Sequence, residues 1–141
     1  MGASFTVEGA VIIPVFTFII LAMTACGFYV RNTVMIKALT IRQATRLGQL
    51  TDKEPDAAVL SNAGSSLKES IQGQGVFLRD VSANAYLTGD GNIRLDVYAR
   101  PSYSIGGFSV PGNITFTYIE KRNNPAMELR KWHAMKGILR K

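Results

Sequence analysis

The chain has 141 residues and a formal charge of +6, which leaves room for one small folded domain beyond any membrane segment. The charge is not spread evenly: residues 1–120 carry nine Lys/Arg against nine Asp/Glu, while residues 121–141 carry seven basic residues against Glu128 alone. A neutral body with a basic tail excludes a generally basic nucleic-acid binder. The single cysteine, Cys26, excludes an internal disulfide.

From Gly9 to Val30 no residue is charged. About 20 apolar residues in helical form span a hydrocarbon core, so this run predicts a transmembrane helix. Glu8 stands at its head, and a carboxylate at the edge of a membrane segment is costly enough to mark a functional site. Pro14 removes a backbone donor and is expected to kink or loosen the helix locally. Gly9 and Ala10 would let another helix approach closely.

The helical pattern continues past the apolar run. Ile36, Leu39, Leu47 and Leu50 fall on one face with Gln43 among them, and Arg31, Arg42 and Arg46 fall on another. One helix over 4–50 is therefore expected, membrane-spanning over about 9–30, its second half presenting a face to a globular domain.

Thr51-Asp52-Lys53-Glu54-Pro55 breaks this helix, and the acidic cluster and Pro55 suit the first turn of a second one. Ala57, Ala58, Leu60, Leu67 and Ile71 give it a modest apolar face, Asn62-Ala63-Gly64-Ser65-Ser66 weakens its middle, and Gly73-Gln74-Gly75 ends it. Val81, Ala83, Ala85 and Leu87 then alternate with Ser82, Asn84 and Tyr86. After a turn at Gly89-Asp90-Gly91-Asn92, Ile93, Leu95, Val97 and Ala99 alternate with Arg94, Asp96, Tyr98 and Arg100. This is a hairpin. A short strand within Ser102–Ile105, a loop around Phe108 and a last strand over Ile114–Glu120 complete an α+β fold: a long N-terminal helix, a second helix and a three- to four-stranded antiparallel sheet over 51–122.

The tail, 123–141, begins at Asn123-Asn124-Pro125. Leu129, Trp132, Met135 and Leu139 share a helical face amid Arg130, Lys131, Lys136, Arg140 and Lys141. Such a basic amphipathic end suggests a membrane surface or an acidic partner. A solvated tail with Trp132 packed on the domain is the other reading.

The residues for catalysis are missing from the pattern. The lone histidine, His133, has no cysteine or carboxylate at ligand spacing, so no metal or cofactor is expected. No nucleophile–base pair or phosphate-binding loop is present, and no small-molecule substrate is implied. The chain reads as an assembly or binding protein, not an enzyme.

Ser4-Phe5-Thr6-Val7-Glu8-Gly9-Ala10 followed by Ile12-Ile13-Pro14 resembles the head of the TadE-like branch of type IV pilin-like subunits, from the tight-adherence (Tad) pilus machinery. Type IV pilin-like subunits have a small residue, four residues, then Glu and an apolar helix, and in the TadE-like branch a Val-Glu pair, small or aromatic residues and a Pro recur in this order. The resemblance covers roughly the first 30 residues. It implies a short leader, 1–3, cut between Ala3 and Ser4 by a membrane-embedded prepilin peptidase. It implies that Glu8, Gly9 and Pro14 serve assembly beside other pilin or pseudopilin subunits, with the domain outside the cytoplasmic membrane. Arg31, Lys37, Arg42 and Arg46 follow the span with nothing basic before it, and the positive-inside rule alone would keep the domain in the cytoplasm. A single-pass anchored binding domain that is neither processed nor assembled is the alternative.

Overall fold

A computed structural model describes residues 3–50, 55–105, 108–109 and 112–121. Its longest element is a helix, α1, over Ala3–Leu50. The helix is continuous through Pro14, whose ring nitrogen has no proton to offer the Ala10 carbonyl one turn back. The first half of α1 projects away from the rest of the protein, with Val11, Ile13, Phe16 and Met23 all exposed. Two hydroxyls in this half, Thr17 and Thr24, donate back to the carbonyls of Ile13 and Ile20 at 2.9 and 2.8 Å. They therefore leave no unmet donor on an apolar surface.

The second half of α1 enters the domain. Asn32, Ile36, Thr40, Ala44 and Leu47 are buried, a ladder of residues three or four apart that draws one stripe along the helix. Thr40 satisfies its hydroxyl on the Ile36 carbonyl at 2.7 Å.

A second helix, α2, runs over Ala57–Gln74. Pro55 lies just outside it, not in its first turn: Asp56 is the N-cap residue, and its carbonyl accepts from Val59 and Leu60. Leu60, Ala63, Gly64, Leu67 and Ile71 form its buried stripe. The helix ends where the Gly75 amide donates to the Ile71 carbonyl at 2.8 Å. The Asn62–Ser66 stretch does not interrupt it. Gly64 is there because a Cβ at this position would stand 2.9 Å from the Ala83 carbonyl oxygen, so the glycine lets α2 lie against a strand.

The sheet is antiparallel, with strands β1 (Leu78–Leu87), β2 (Ile93–Pro101) and β5 (Ile114–Glu120) in the order β1-β2-β5. In the centre, Ile93, Leu95, Val97 and Ala99 are buried beneath the helices, while Arg94 and Arg100 are exposed on the opposite face. Pairing places Ala83 opposite Val97, and Val97 opposite Phe116. α2 packs on β1, and α1 packs on β2 and β5. The Lys37 ammonium lies 5.8 Å from the Phe116 ring centre, a cation–π contact between α1 and β5.

Between β2 and β5 the chain forms a second, two-stranded sheet, β3 (Ser104–Ile105) with β4 (Phe108–Ser109). The stretch around Phe108, expected to be a loop, is thus the return arm of a small hairpin. The basic tail lies outside the described residues.

Candidate functional site

Two places along α1 carry chemistry beyond packing. The first is its head. Glu8 is exposed, and a Cβ added at Gly9 would meet nothing within 4 Å, so this end of the helix is open to a neighbour. Ala3, Ser4 and Pro14 lie on the same helix. Among the described residues, α1 contains a span long and apolar enough to cross a membrane, almost none of it buried.

The second place is the joint where the helix meets the domain. Asn32 is wholly buried. Its Nδ2 donates to the Val76 carbonyl at 2.8 Å, and its Oδ1 accepts from the Val76 amide at 3.2 Å. The same Nδ2 lies against the Tyr103 hydroxyl, which itself donates to the Val76 carbonyl at 3.3 Å. Three segments distant in sequence are joined at one amide side chain: α1, the α2–β1 connection and the chain just after β2. A buried amide is tolerable only when satisfied in this way. Burial raises the Tyr103 pKa from its ordinary 10.0, against the smaller lowering effects of the Asn32 bond and of Arg31.

One turn toward the head from Asn32, Phe28 stacks on Tyr103 at 6.2 Å between ring centres. Phe77 meets both rings edge-on, at 5.9 Å from Phe28 and 6.0 Å from Tyr103. Phe77 has φ +52°, in the left-handed region, and the Ser102 amide donates to its carbonyl at 2.7 Å. Despite its two ring contacts Phe77 stays 62% exposed.

Elsewhere the surface is less specific. On the open sheet face the Tyr86 hydroxyl bonds Asp96, and Arg94 Nε pairs with the same carboxylate at 3.1 Å. A shallow groove of about 500 Å³ runs between α2 and β1, with Leu60, Gly64, Lys68, Ala83 and Tyr86 among its lining. Among the described residues no group of three His, Cys, Asp or Glu side chains could hold a metal ion. Trp132, Arg130, Lys131, Lys136 and Arg140, the candidate contact residues of the tail, lie outside the described residues.

Sequence reasoning pointed to the head of α1 and missed the joint. Asn32, Val76, Phe77 and Tyr103 carry no motif, and the Asn32–Tyr103 pairing spans 71 residues. The one available signal was an uncharged polar residue, Asn32, at the end of the apolar run and in phase with Ile36.

The chain matches no family model, no curated protein and no solved structure.

Proposed function

We propose that this chain is a TadE-like minor pilin or pseudopilin. In this reading it is a subunit of a tight-adherence pilus or related secretion machine, held in a bacterial cytoplasmic membrane by the first half of α1, with the α+β domain outside. The observation that carries the reading is the change along one uninterrupted helix. Its second half is built into a domain core through Ile36, Ala44 and Leu47, while its first half is apolar, exposed and headed by the carboxylate of Glu8. A plain anchor needs the apolar surface but has no use for Glu8. A subunit that packs among like helices does, because a carboxylate in lipid is tolerable only where a partner charge meets it.

Prepilin peptidase would cut between Ala3 and Ser4, leaving Glu8 fifth in the mature chain and about one helical turn from a new α-amino group. That amine has a reference pKa near 8 and is mostly charged at neutral pH. The amine of a neighbouring subunit would be the partner that sets the register of docking. The subunit needs no cofactor and transforms no substrate in this role.

The exposed Arg31, Lys37, Arg42 and Arg46 just beyond the apolar run favour a second reading, an unprocessed single-pass protein with its domain in the cytoplasm. One experiment separates the two: the N-terminal residue of the protein extracted from membranes, with a compartment-sensitive reporter fused after Lys141. A chain starting at Ser4 with an external reporter supports the pilin reading. A chain retaining Met1, or an active cytoplasmic reporter, rejects it.

A further inference from the structure

The aromatic joint lies at a definite height on the helix. Gly9 to Phe28 is 20 residues, about 30 Å of α-helix, the thickness of a hydrocarbon core. If the head of α1 lies at one face of a bilayer, Phe28 lies at the other. Phe77 and Tyr103 belong to the folded domain, yet their rings stand at this same level, in contact with Phe28. Tyr and Trp concentrate at the membrane–water boundary, and Phe is among the apolar residues that interfacial segments bury at the headgroup–acyl boundary.

Two further features single out Phe77. Its left-handed backbone is an uncommon conformation for a bulky residue and costs energy, and it is held in a segment pinned by the Asn32–Val76 and Ser102–Phe77 hydrogen bonds. That cost does not hide the ring in the core: the ring remains largely exposed at the foot of the domain. Arg31, three residues past Phe28 on α1, is exposed, a cation at the height where lipid phosphates lie.

We propose that Phe77, in contact with Tyr103 and Phe28 at the level of Arg31, is a lipid contact of the folded domain: Phe77 rests in the headgroup region of the bilayer where α1 emerges, and so sets the depth at which the domain sits. The proposal rests on the reading that the first half of α1 spans a bilayer. Lipid is favoured over a second copy of the chain because the Phe28, Phe77 and Tyr103 rings continue the apolar surface of α1 at the height where the span ends, and because Arg31 complements anionic headgroups.

The test places a single indole at this position, Phe77→Trp in a Trp132→Phe background, in the full chain reconstituted into phosphatidylcholine–phosphatidylglycerol vesicles. Ile20→Trp in the same background reports the span itself. Bromines placed high on the acyl chains should quench the indole at position 77 more than bromines near the chain ends, with the reverse order at position 20. Quenching at position 20 by lipid, with position 77 quenched only by aqueous iodide, overturns the proposal and leaves the anchor standing. An indole at position 77 shielded from both iodide and lipid bromine also overturns it, in favour of a second copy. Failure of lipid bromine to quench position 20 rejects the spanning reading, and the proposal with it. A nitroxide on Phe77→Cys in a Cys26→Ser background gives the same depth independently, should the larger indole disturb the fold. It should be more accessible to dissolved oxygen than to a water-soluble nickel chelate, and the opposite preference overturns the proposal.

Discussion

Asn32 and Val76 pair as residues on neighbouring strands do, each donating to the other: Asn32 Nδ2 to the Val76 carbonyl at 2.8 Å, and the Val76 amide to Asn32 Oδ1 at 3.2 Å. One side chain of a helix thus stands in for a peptide group. The connection after α2 is fixed to α1 at a point where neither helix nor sheet supplies a backbone partner.

Asn32→Ala should therefore cost more than the loss of one contact. It strips the partner from the Val76 amide, and the Val76 carbonyl keeps only the Tyr103 hydroxyl. An unsatisfied buried polar group costs about 1–3 kcal/mol, and a loss in that range is expected. Asn32→Asp keeps the acceptor for the Val76 amide but sets a carboxylate oxygen against the Val76 carbonyl. It should rescue little at neutral pH. Urea unfolding of the domain in detergent micelles reads both variants, and a loss below about 0.5 kcal/mol for Asn32→Ala would reduce the pairing to an ordinary exposed bond.

Two glycines of α2 should respond in opposite directions to the same substitution. Gly73→Ala meets nothing within 4 Å and should stabilise by up to about 1 kcal/mol, the usual helix preference for alanine. Gly64→Ala drives a Cβ to 2.9 Å from the Ala83 carbonyl oxygen, a backbone atom that cannot swing away. The strain, about 1–3 kcal/mol, should outweigh the gain in propensity. Thermal unfolding of the two variants side by side decides the matter, and equal shifts would mean that α2 slides off β1 without penalty.

Alkaline pH should weaken the domain. Burial raises the pKa of Tyr103, while hydrogen bonding and repulsion by the Glu120 carboxylate raise that of Tyr118. In both, the folded state holds its proton more tightly than the unfolded chain. The stabilisation is complete below the unfolded value near 10 and is lost as pH rises through the folded value. Tyr103→Phe removes one of these protons, so its stability should fall less steeply above pH 10 than that of the wild type. A pH series of unfolding midpoints measures the slopes, and identical slopes would remove Tyr103 from the account.

In the proposed pilin role, Glu8→Gln should leave membrane insertion and cutting between Ala3 and Ser4 largely intact, and should impair crosslinking to neighbouring subunits in membranes. Glu8→Asp, which restores the charge on a shorter stem, should recover part of it. Equal crosslinking in all three forms would leave Glu8 without a part in assembly; it is the sixth residue of α1, beyond the first turn where the helix dipole favours a carboxylate.

Removing the chain from Asn123 onward should leave a folded domain, because the charge of this tail is concentrated and a helix as short as its sequence allows is marginal alone. Protease resistance of the truncated protein checks this. Rapid degradation would make Leu129 and Trp132 part of the core.

The elements readable in the sequence were those whose period is set by a single surface. In β1, β2 and β5 every second residue faces the helices, and the alternation from Val81 to Leu87 and from Ile93 to Ala99 stated that directly. The helix through residue 50 was visible because Ile36 and Leu47 fall in phase. The misjudged details turn on contacts between distant segments. Gly64 read as a weakness in α2, because its use depends on a strand some twenty residues on. Phe108 read as loop, because its partner strand is only two residues long. The joint was illegible because an asparagine buried against Val76 and one facing water look alike until the chain folds back on it. At the head of α1, Glu8 stood out early because a charge bordering an apolar run is conspicuous without any fold.

No turn or loop divides α1 between its exposed half and the half built into the domain. The domain is thus fixed to the exposed half of α1 like a blade on a shaft. Tilting the helix in a membrane swings the sheet through the same angle, and rotating it turns the open face carrying Tyr86, Arg94 and Asp96 to a new bearing. Whatever surrounds the exposed half of such a helix thereby aims the domain on the other.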